Sequence, residues 1–391
     1  MKKIFSLIIV SLVSFSNISI AQNVQNDSRV ITTAVPFMLI SGDARASAMG
    51  DMGVATSADA FSQFWNPAKY IRIENKMGFA FSYTPYLSQL VNDIKIINGT
   101  YFNKINDRSA FGVSIKYFGL GDIDLSDYNG EYNGTVSPNE FYLDGSYALK
   151  LSETFSMGVT MRFILSDLKL GTNNDDATAA KSFAVDISGY YESEPFDFAD
   201  TDAKLRLGFN IQNLGPKIKY YRSDDGDFLP TNLKLGAGLD FIMDQYNTVG
   251  LTLETNKLLV PTPPVRDSSG KIIAGKDDDV NWMTGIFQSF SDAPGGFSEE
   301  LKEFQWSPGV EYKYLDAFAL RAGYFHESDI KGKRKYFTIG AGLKYNFMVI
   351  DISYLFSMGK LRSPLDNTMR FSLTFNIDDF ANAGGPDKEN E

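Results

Sequence analysis

Along most of this chain, apolar residues alternate one by one with small or polar ones. The pattern is clearest near the carboxy terminus. Phe337, Ile339, Ala341, Leu343 and Tyr345 alternate with Thr338, Gly340, Gly342, Lys344 and Asn346, and Phe371, Leu373 and Phe375 alternate with Arg370, Ser372 and Thr374. A two-residue period places the two sets on opposite faces of a strand. Soluble antiparallel sheets alternate as well. Here the pattern recurs over nearly the whole length, with small and charged residues along the second face. That is expected of strands that turn apolar groups to lipid and polar groups to an enclosed lumen.

The alternation predicts fourteen strands, near residues 76–84, 95–105, 109–118, 140–151, 155–165, 183–191, 205–211, 230–241, 249–257, 307–315, 318–324, 336–346, 348–358 and 369–376. The pattern is weakest at 95–105, and Pro230 is expected to open the eighth strand. An even count suits a bacterial single-chain barrel, and closure removes the edges that a long open sheet would have to protect. The fold class expected is therefore all-β: a 14-stranded antiparallel transmembrane β-barrel spanning 71–376. Tight turns at 150–153 and 346–347 suit the periplasmic side, 359–367 forms a medium loop, and the long breaks at 119–138 and 258–305 suit the extracellular side.

The amino terminus breaks the alternation. Met1-Lys2-Lys3, an apolar run at 4–13 and Ser19-Ile20-Ala21 read as a Sec-type signal peptide over 1–21, with Gln22 as the mature start. Its apolar core is too short to span a bilayer, and no uninterrupted apolar run of about 18 residues follows. In 22–70 the apolar stretch 35–40 is followed by the small residues of 41–50. Ser41 or Asp43 could cap a short helix and Gly50 end it. A second helical turn at 61–65 is expected to stop at Asn66-Pro67. The segment is too apolar for a free arm, so it is expected to fold into the lumen as a plug, the barrel rim being the alternative. Residues 377–391 form a short polar tail.

Composition narrows the chemistry. The net charge of −11 argues against a nucleic-acid binder. With no Cys and a single His, His326, there is no disulfide, no thiolate nucleophile and no histidine metal cluster. Neither a Gly-X-Ser-X-Gly elbow nor a phosphate loop occurs. No catalytic residue, metal or cofactor is expected; lipid or detergent in the barrel or on its surface is the bound material to expect. Tyr83, Tyr117 and Tyr324 lie near strand ends, as in the aromatic girdles of such barrels.

By parity Arg162, Arg206, Lys234, Glu254, Arg321, Lys344 and Asp351 face inward. Charge facing lipid is costly, so these groups either hydrogen-bond the plug or line a substrate path. Binding of a macromolecule falls more naturally to the loops. Tyr128 and Tyr132 lie in one, and Trp282, Ile286, Phe287 and Phe290 in the other, where 281–290 predicts an amphipathic helix or short ridge. Aromatics there could meet a partner, pack on the barrel or enter lipid.

The stretch Ile31-Thr32-Thr33-Ala34-Val35-Pro36-Phe37-Met38-Leu39-Ile40, with Asp43-Ala44-Arg45, Met49-Gly50, Gly53-Val54-Ala55-Thr56 and Trp65-Asn66-Pro67-Ala68-Lys69, resembles the PorV (LptO) family. These are outer-membrane proteins of the type IX secretion system of Bacteroidetes, similar in turn to FadL-like barrels with an amino-terminal hatch. The resemblance extends over the mature chain, and its sharp part is these amino-terminal motifs. It implies a plug motif at Asp43, Arg45, Met49, Gly50, Asn66 and Pro67. It also implies partners: a SprA-type translocon, cargo proteins with type IX carboxy-terminal signal domains, a PorU-type sortase and outer-membrane lipopolysaccharide. The function implied is capture and shuttling of exported cargo. A FadL-like channel for hydrophobic small molecules, or a lipopolysaccharide-modifying enzyme, are the alternatives.

Overall fold

The computed structural model describes residues 28–127, 129–168, 179–221, 225–358 and 365–379. The expected signal peptide, Tyr128, residues 359–364 of the medium loop and 380–391 of the tail lie outside the described residues.

Fourteen strands form the wall: β1 (Met77–Pro85), β2 (Lys95–Asn106), β3 (Ser109–Gly119), β4 (Asn139–Lys150), β5 (Phe155–Asp167), β6 (Ala180–Glu192), β7 (Thr201–Leu214), β8 (Asn232–Ile242), β9 (Asn247–Leu258), β10 (Gln305–Tyr314), β11 (Phe318–His326), β12 (Lys335–Tyr345), β13 (Met348–Ser357) and β14 (Met369–Asn376). Each pairs antiparallel with its neighbours in sequence. The ring closes where β1 pairs with β14, from Gly78↔Asn376 to Tyr83↔Phe371. A short strand, Phe196–Phe198, adds to the start of β7 outside the ring. All fourteen predicted strands are present, including the weakly patterned second.

The outer wall is apolar and the inner wall polar, the reverse of a soluble protein. Phe79, Phe81, Val159, Met161, Phe163, Leu251 and Leu253 are exposed, whereas Asp144, Thr160, Arg162, Glu254 and Arg321 are buried. Only a solvent more apolar than water makes that arrangement stable. The connections at 107–108, 151–154, 243–246, 315–317 and 346–347 gather the short turns at one end. Those at 86–94, 120–138, 215–231, 259–304 and 327–334 place longer loops at the other, the end that faces outward in outer-membrane barrels.

One local reading changes and two details are added. Pro230 precedes β8 rather than opening it, since Asn232 makes the first ladder pair. Pro308 sits inside β10, and the ladder to β11 passes from Trp306↔His326 directly to Gly309↔Gly323, because proline has no N–H to give. The 119–138 break contains its own hairpin, Ile123–Ser126 paired with Tyr132–Val136.

Residues 34–73 lie inside the ring. They form a turn at Pro36–Leu39, helix α1 (Ala44–Ser47), helix α2 (Ser62–Trp65) and a 3-10 helix, Pro67–Arg72. Asp43 caps α1 by accepting from Ala46 N at 2.8 Å. Asn66-Pro67 ends α2 but does not end the helical path. Extended Asn66 accepts from Ala68 N, and proline at the first position starts the 3-10 helix. The inner run therefore continues past residue 70 to Ile73.

Two apolar clusters bind this run to the wall. Val35, Phe37, Met38 and Trp65 pack with Ile96, Phe118, Tyr142 and Ile164; Phe61, Tyr70, Ile71 and Ile73 pack with Phe102, Ala110 and Ala148. Phe37 stacks on Phe118 at 6.1 Å and Tyr70 on Phe102 at 5.5 Å.

Candidate functional site

Arg45 of the amino-terminal motif joins the inward-facing Glu311, Arg321 and Asp351 in one ladder of ions. Arg45 grips Glu311 with two bonds, Nε to Oε1 at 3.0 Å and Nη2 to Oε2 at 2.9 Å, and reaches Asp59 at 2.7 Å. Glu311 also accepts from Arg321 Nε at 2.7 Å, and Arg321 Nη1 donates to Asp351 at 2.6 Å. Signs alternate along Asp59–Arg45–Glu311–Arg321–Asp351, so each buried charge has a partner, which buried ions need. The fork of arginine suits the two-point grip.

The remaining motif residues are also fastened. Asp43 accepts from Trp65 Nε1 at 2.7 Å. Asn66 Nδ2 donates to Val54 O at 2.9 Å and Gly189 O at 3.0 Å. Met49-Gly50 crosses the lumen to β10–β12, where Gly50 N donates to Thr338 Oγ1 at 2.9 Å and Gly50 O accepts from Ser307 at 2.8 Å. Gly50 has φ +83, and a Cβ there would lie 2.7 Å from Tyr324 O, so only glycine fits. Gly323 on the facing strand gives the matching space, since its Cβ would lie 2.0 Å from the backbone of Met49.

Other inward charges hold the same run or each other. Glu254 accepts from Gly53 N and Val54 N at 2.8 and 2.9 Å, with Lys234 at 3.6 Å. Arg162 lies between Asp144 and Asp186, both at 2.9 Å, and Gln63 donates to Asp144 at 3.0 Å. Arg206 pairs with Asp240 at 2.6 Å. Lys344 is on the inward face by register but stands half-exposed at the short-turn end, apart from the ladder. Sequence reasoning named Arg45, Arg321 and Asp351 but missed Glu311, Asp59, Asp144 and Asp186. The inward parity of Glu311, between outward Val310 and Tyr312, was the available signal.

Above the inner run, toward the long loops, is a cavity of about 600 Å³. Phe37, Phe118, Phe325 and Leu355 line it, together with Lys234 and Arg370.

The other candidate surface is the 259–304 loop. Its helix α3 (Trp282–Gln288) starts where Asn281 accepts from Thr284 N at 2.9 Å. Gly285 faces inward against Phe228. Met283 and Phe287, four apart and so on one face, are 57% and 78% exposed. Phe290, Phe297 and Leu301, further along the same loop, are exposed as well, whereas Trp282 and Ile286 are half-buried. Tyr132 is exposed on the separate hairpin. Helix α4 (Phe297–Glu300) anchors the loop: Glu299 receives a two-point grip from Arg29 at 2.8 and 2.9 Å, and Lys331 at 2.8 Å.

Burial alone would push the Glu299 carboxyl up, but the hydrogen bonds from Arg29 and Lys331 outweigh it and bring it down to about 2. A depressed acid stabilises fully above its unfolded value and loses that contribution as pH falls through the folded one. The anchor is thus expected to hold from neutral pH to about 4.5 and to fail toward about 2. Limited proteolysis with an acid protease should cut 259–304 only near the lower limit in the native chain, and at a higher pH in Glu299→Gln.

His326 sits on the outer wall, stacked on Trp306 at 4.7 Å, with its Nδ1 3.3 Å from the Tyr324 hydroxyl. It belongs to an aromatic band near a strand end.

A closed antiparallel ring, apolar outside and packed with a hydrogen-bonded inner segment, defines an outer-membrane β-barrel. Comparison with solved structures agrees on the fold. A TodX deltaS2S3 mutant monoaromatic hydrocarbon channel superposes with TM-score 0.51 at 12% identity, covering 86% of this chain and 99% of that one. A Pseudomonas aeruginosa FadL homologue matches with TM-score 0.43 at 13% identity, over 90% and 100% of the two chains; that likeness is too loose to carry an argument. No curated protein sequence matches the chain. The family model described as type IX secretion system protein PorV matches residues 23–265. The chain belongs to the PorV family and is an outer-membrane component of the type IX secretion system.

Proposed function

We propose that this protein captures exported cargo by its carboxy-terminal signal domain at the cell surface and passes it from a SprA-type translocon to a PorU-type sortase, without itself catalysing a reaction. The observation that carries this reading is the exposed apolar strip on α3, with Phe290, Phe297 and Leu301 exposed further along the same loop. An exposed apolar ridge on a loop beyond the strands is the kind of surface that meets a partner. The inward charges near mid-barrel, by contrast, hold the inner segment or one another.

The test is co-purification from gently solubilised outer membrane. The native chain should bring down cargo bearing the signal domain. Met283→Ser together with Phe287→Ser should reduce cargo recovery about tenfold, on the order of the 1–2 kcal/mol lost at a modest hot spot, while the barrel still folds. Equal recovery by both proteins would remove the ridge from the interface, and no cargo with either would sink the shuttle reading.

The cavity, whose wall mixes Phe37, Phe118, Phe325 and Leu355 with charged groups such as Asp51, Arg334 and Arg370, motivates a second reading, a channel for hydrophobic small molecules. Passage would require the inner segment to leave its ionic ladder. Unchanged uptake of such compounds in a deletion strain would dismiss it.

A further inference from the structure

Beneath the ridge, three buried carboxylates of the 259–304 loop converge. Asp292, Glu300 and Glu303 each place an oxygen within 4.8 Å of the others. Asp292 is 1% exposed, and its Oδ1 is buried with no hydrogen-bond partner among the described residues. An acceptor left so costs the full loss of its hydration. The other oxygens are occupied. Thr262 N donates to Asp292 Oδ2 at 3.1 Å, Ala293 N to Glu300 Oε1 at 2.8 Å and Thr262 Oγ1 to Glu303 Oε1 at 2.5 Å. Lys257 Nζ bridges Glu300, at 3.3 Å, and Glu303, and Lys331 Nζ donates to Glu303 Oε1 at 2.8 Å. With Glu299, four carboxylates face three cations, Arg29, Lys257 and Lys331. Among the described residues the cluster is one positive charge short, and the shortfall falls at Asp292.

We propose that Asp292, Glu300 and Glu303 bind a calcium ion, which pins the segment between the exposed ridge and β10 to the barrel rim. All the donors are oxygen, which selects a hard cation. The setting is buried and offers several carboxylates, which suits Ca2+; Mg2+ keeps much of its water. Lys257 is a built-in competitor, because its ammonium touches two of the three ligands. Affinity is therefore in the weak range of extracellular modules, about 10⁻⁴–10⁻³ M, matched to a loop at the outward end.

The experiment is calorimetric titration of CaCl2 into the full mature chain, purified in detergent and stripped with chelator. The expected result is one saturable site. Asp292→Asn, nearly the same shape without the charge, should weaken it at least tenfold. Lys257→Met should tighten it by removing the competitor. Asp277→Asn with Asp278→Asn, on the exposed part of the same loop, should leave it unchanged. Should Lys257→Met not fold, trypsin sensitivity of the native loop gives the second readout: Ca2+ protects it, and protects Asp292→Asn less. No saturable binding, or equal binding by the native chain and Asp292→Asn, overturns the proposal.

Discussion

Replacing Arg45 by Met is expected to cost about 3–5 kcal/mol, the usual price of leaving a buried ion without its partner. Asp59 would lose its arginine, and Glu311 would keep only Arg321 of its two. The inner run, not the wall, should fail first, because Arg45 joins the two. Barrel strands are held by ladder bonds that Arg45 does not touch. Electrophoretic heat-modifiability in detergent is the measurement. The variant should convert to its slow, unfolded form at a clearly lower temperature, and fluorescence of Trp65, buried in the inner run, should shift toward water before the barrel opens. Arg45→Lys should fall between, since an ammonium keeps the charge but not the fork. If Arg45→Met melts like the native protein, the ladder contributes nothing to seating this segment.

The second large effect is steric. Gly323→Ala adds one methyl, yet its Cβ would lie 2.0 Å from the Met49 carbonyl carbon and 2.3 Å from Gly50 N. Those atoms are backbone, fixed by the bonds of Gly50 to Thr338 and Ser307, so no side chain can swing aside. Overpacking of this kind costs about 1–3 kcal/mol or more. Gly145→Ala is the control, because nothing but Gly112 O, at 3.9 Å, is near its Cβ. The two substitutions remove the same backbone freedom, so a difference between them isolates the contact. Folding yield in detergent should fall for Gly323→Ala and stay native for Gly145→Ala. Equal yields would mean that the inner run does not press on β11.

The wall was legible because a strand in a bilayer must show one chemistry to lipid and another to the lumen, and that requirement is written residue by residue. Phe371-Ser372-Leu373-Thr374-Phe375 states its two faces without help from the rest of the chain. The turns were legible for the same reason, as gaps in the alternation. Pro308 was not marked as a break, because alternation says which face a residue takes and nothing about whether its N–H has a ladder partner. The inner run was legible as a class, apolar and short-helical, but Asn66-Pro67 looked like a stop. Whether proline ends one helix or begins the next depends on where the following residues can be buried.

The sequence alone therefore determined a fourteen-stranded membrane barrel, its strand limits to within a few residues, and an amino-terminal segment unlike the wall. Parity also determined which charges face inward. Only the tertiary structure decided which charges meet: Arg45 and Glu311 are separated by 266 positions, and Lys257 and Glu303 by 46, along a loop that returns to the start of β10. The physical reason is that periodicity is a local property of one strand, whereas an ion pair depends on how far two distant stretches are brought together when the ring closes around its contents.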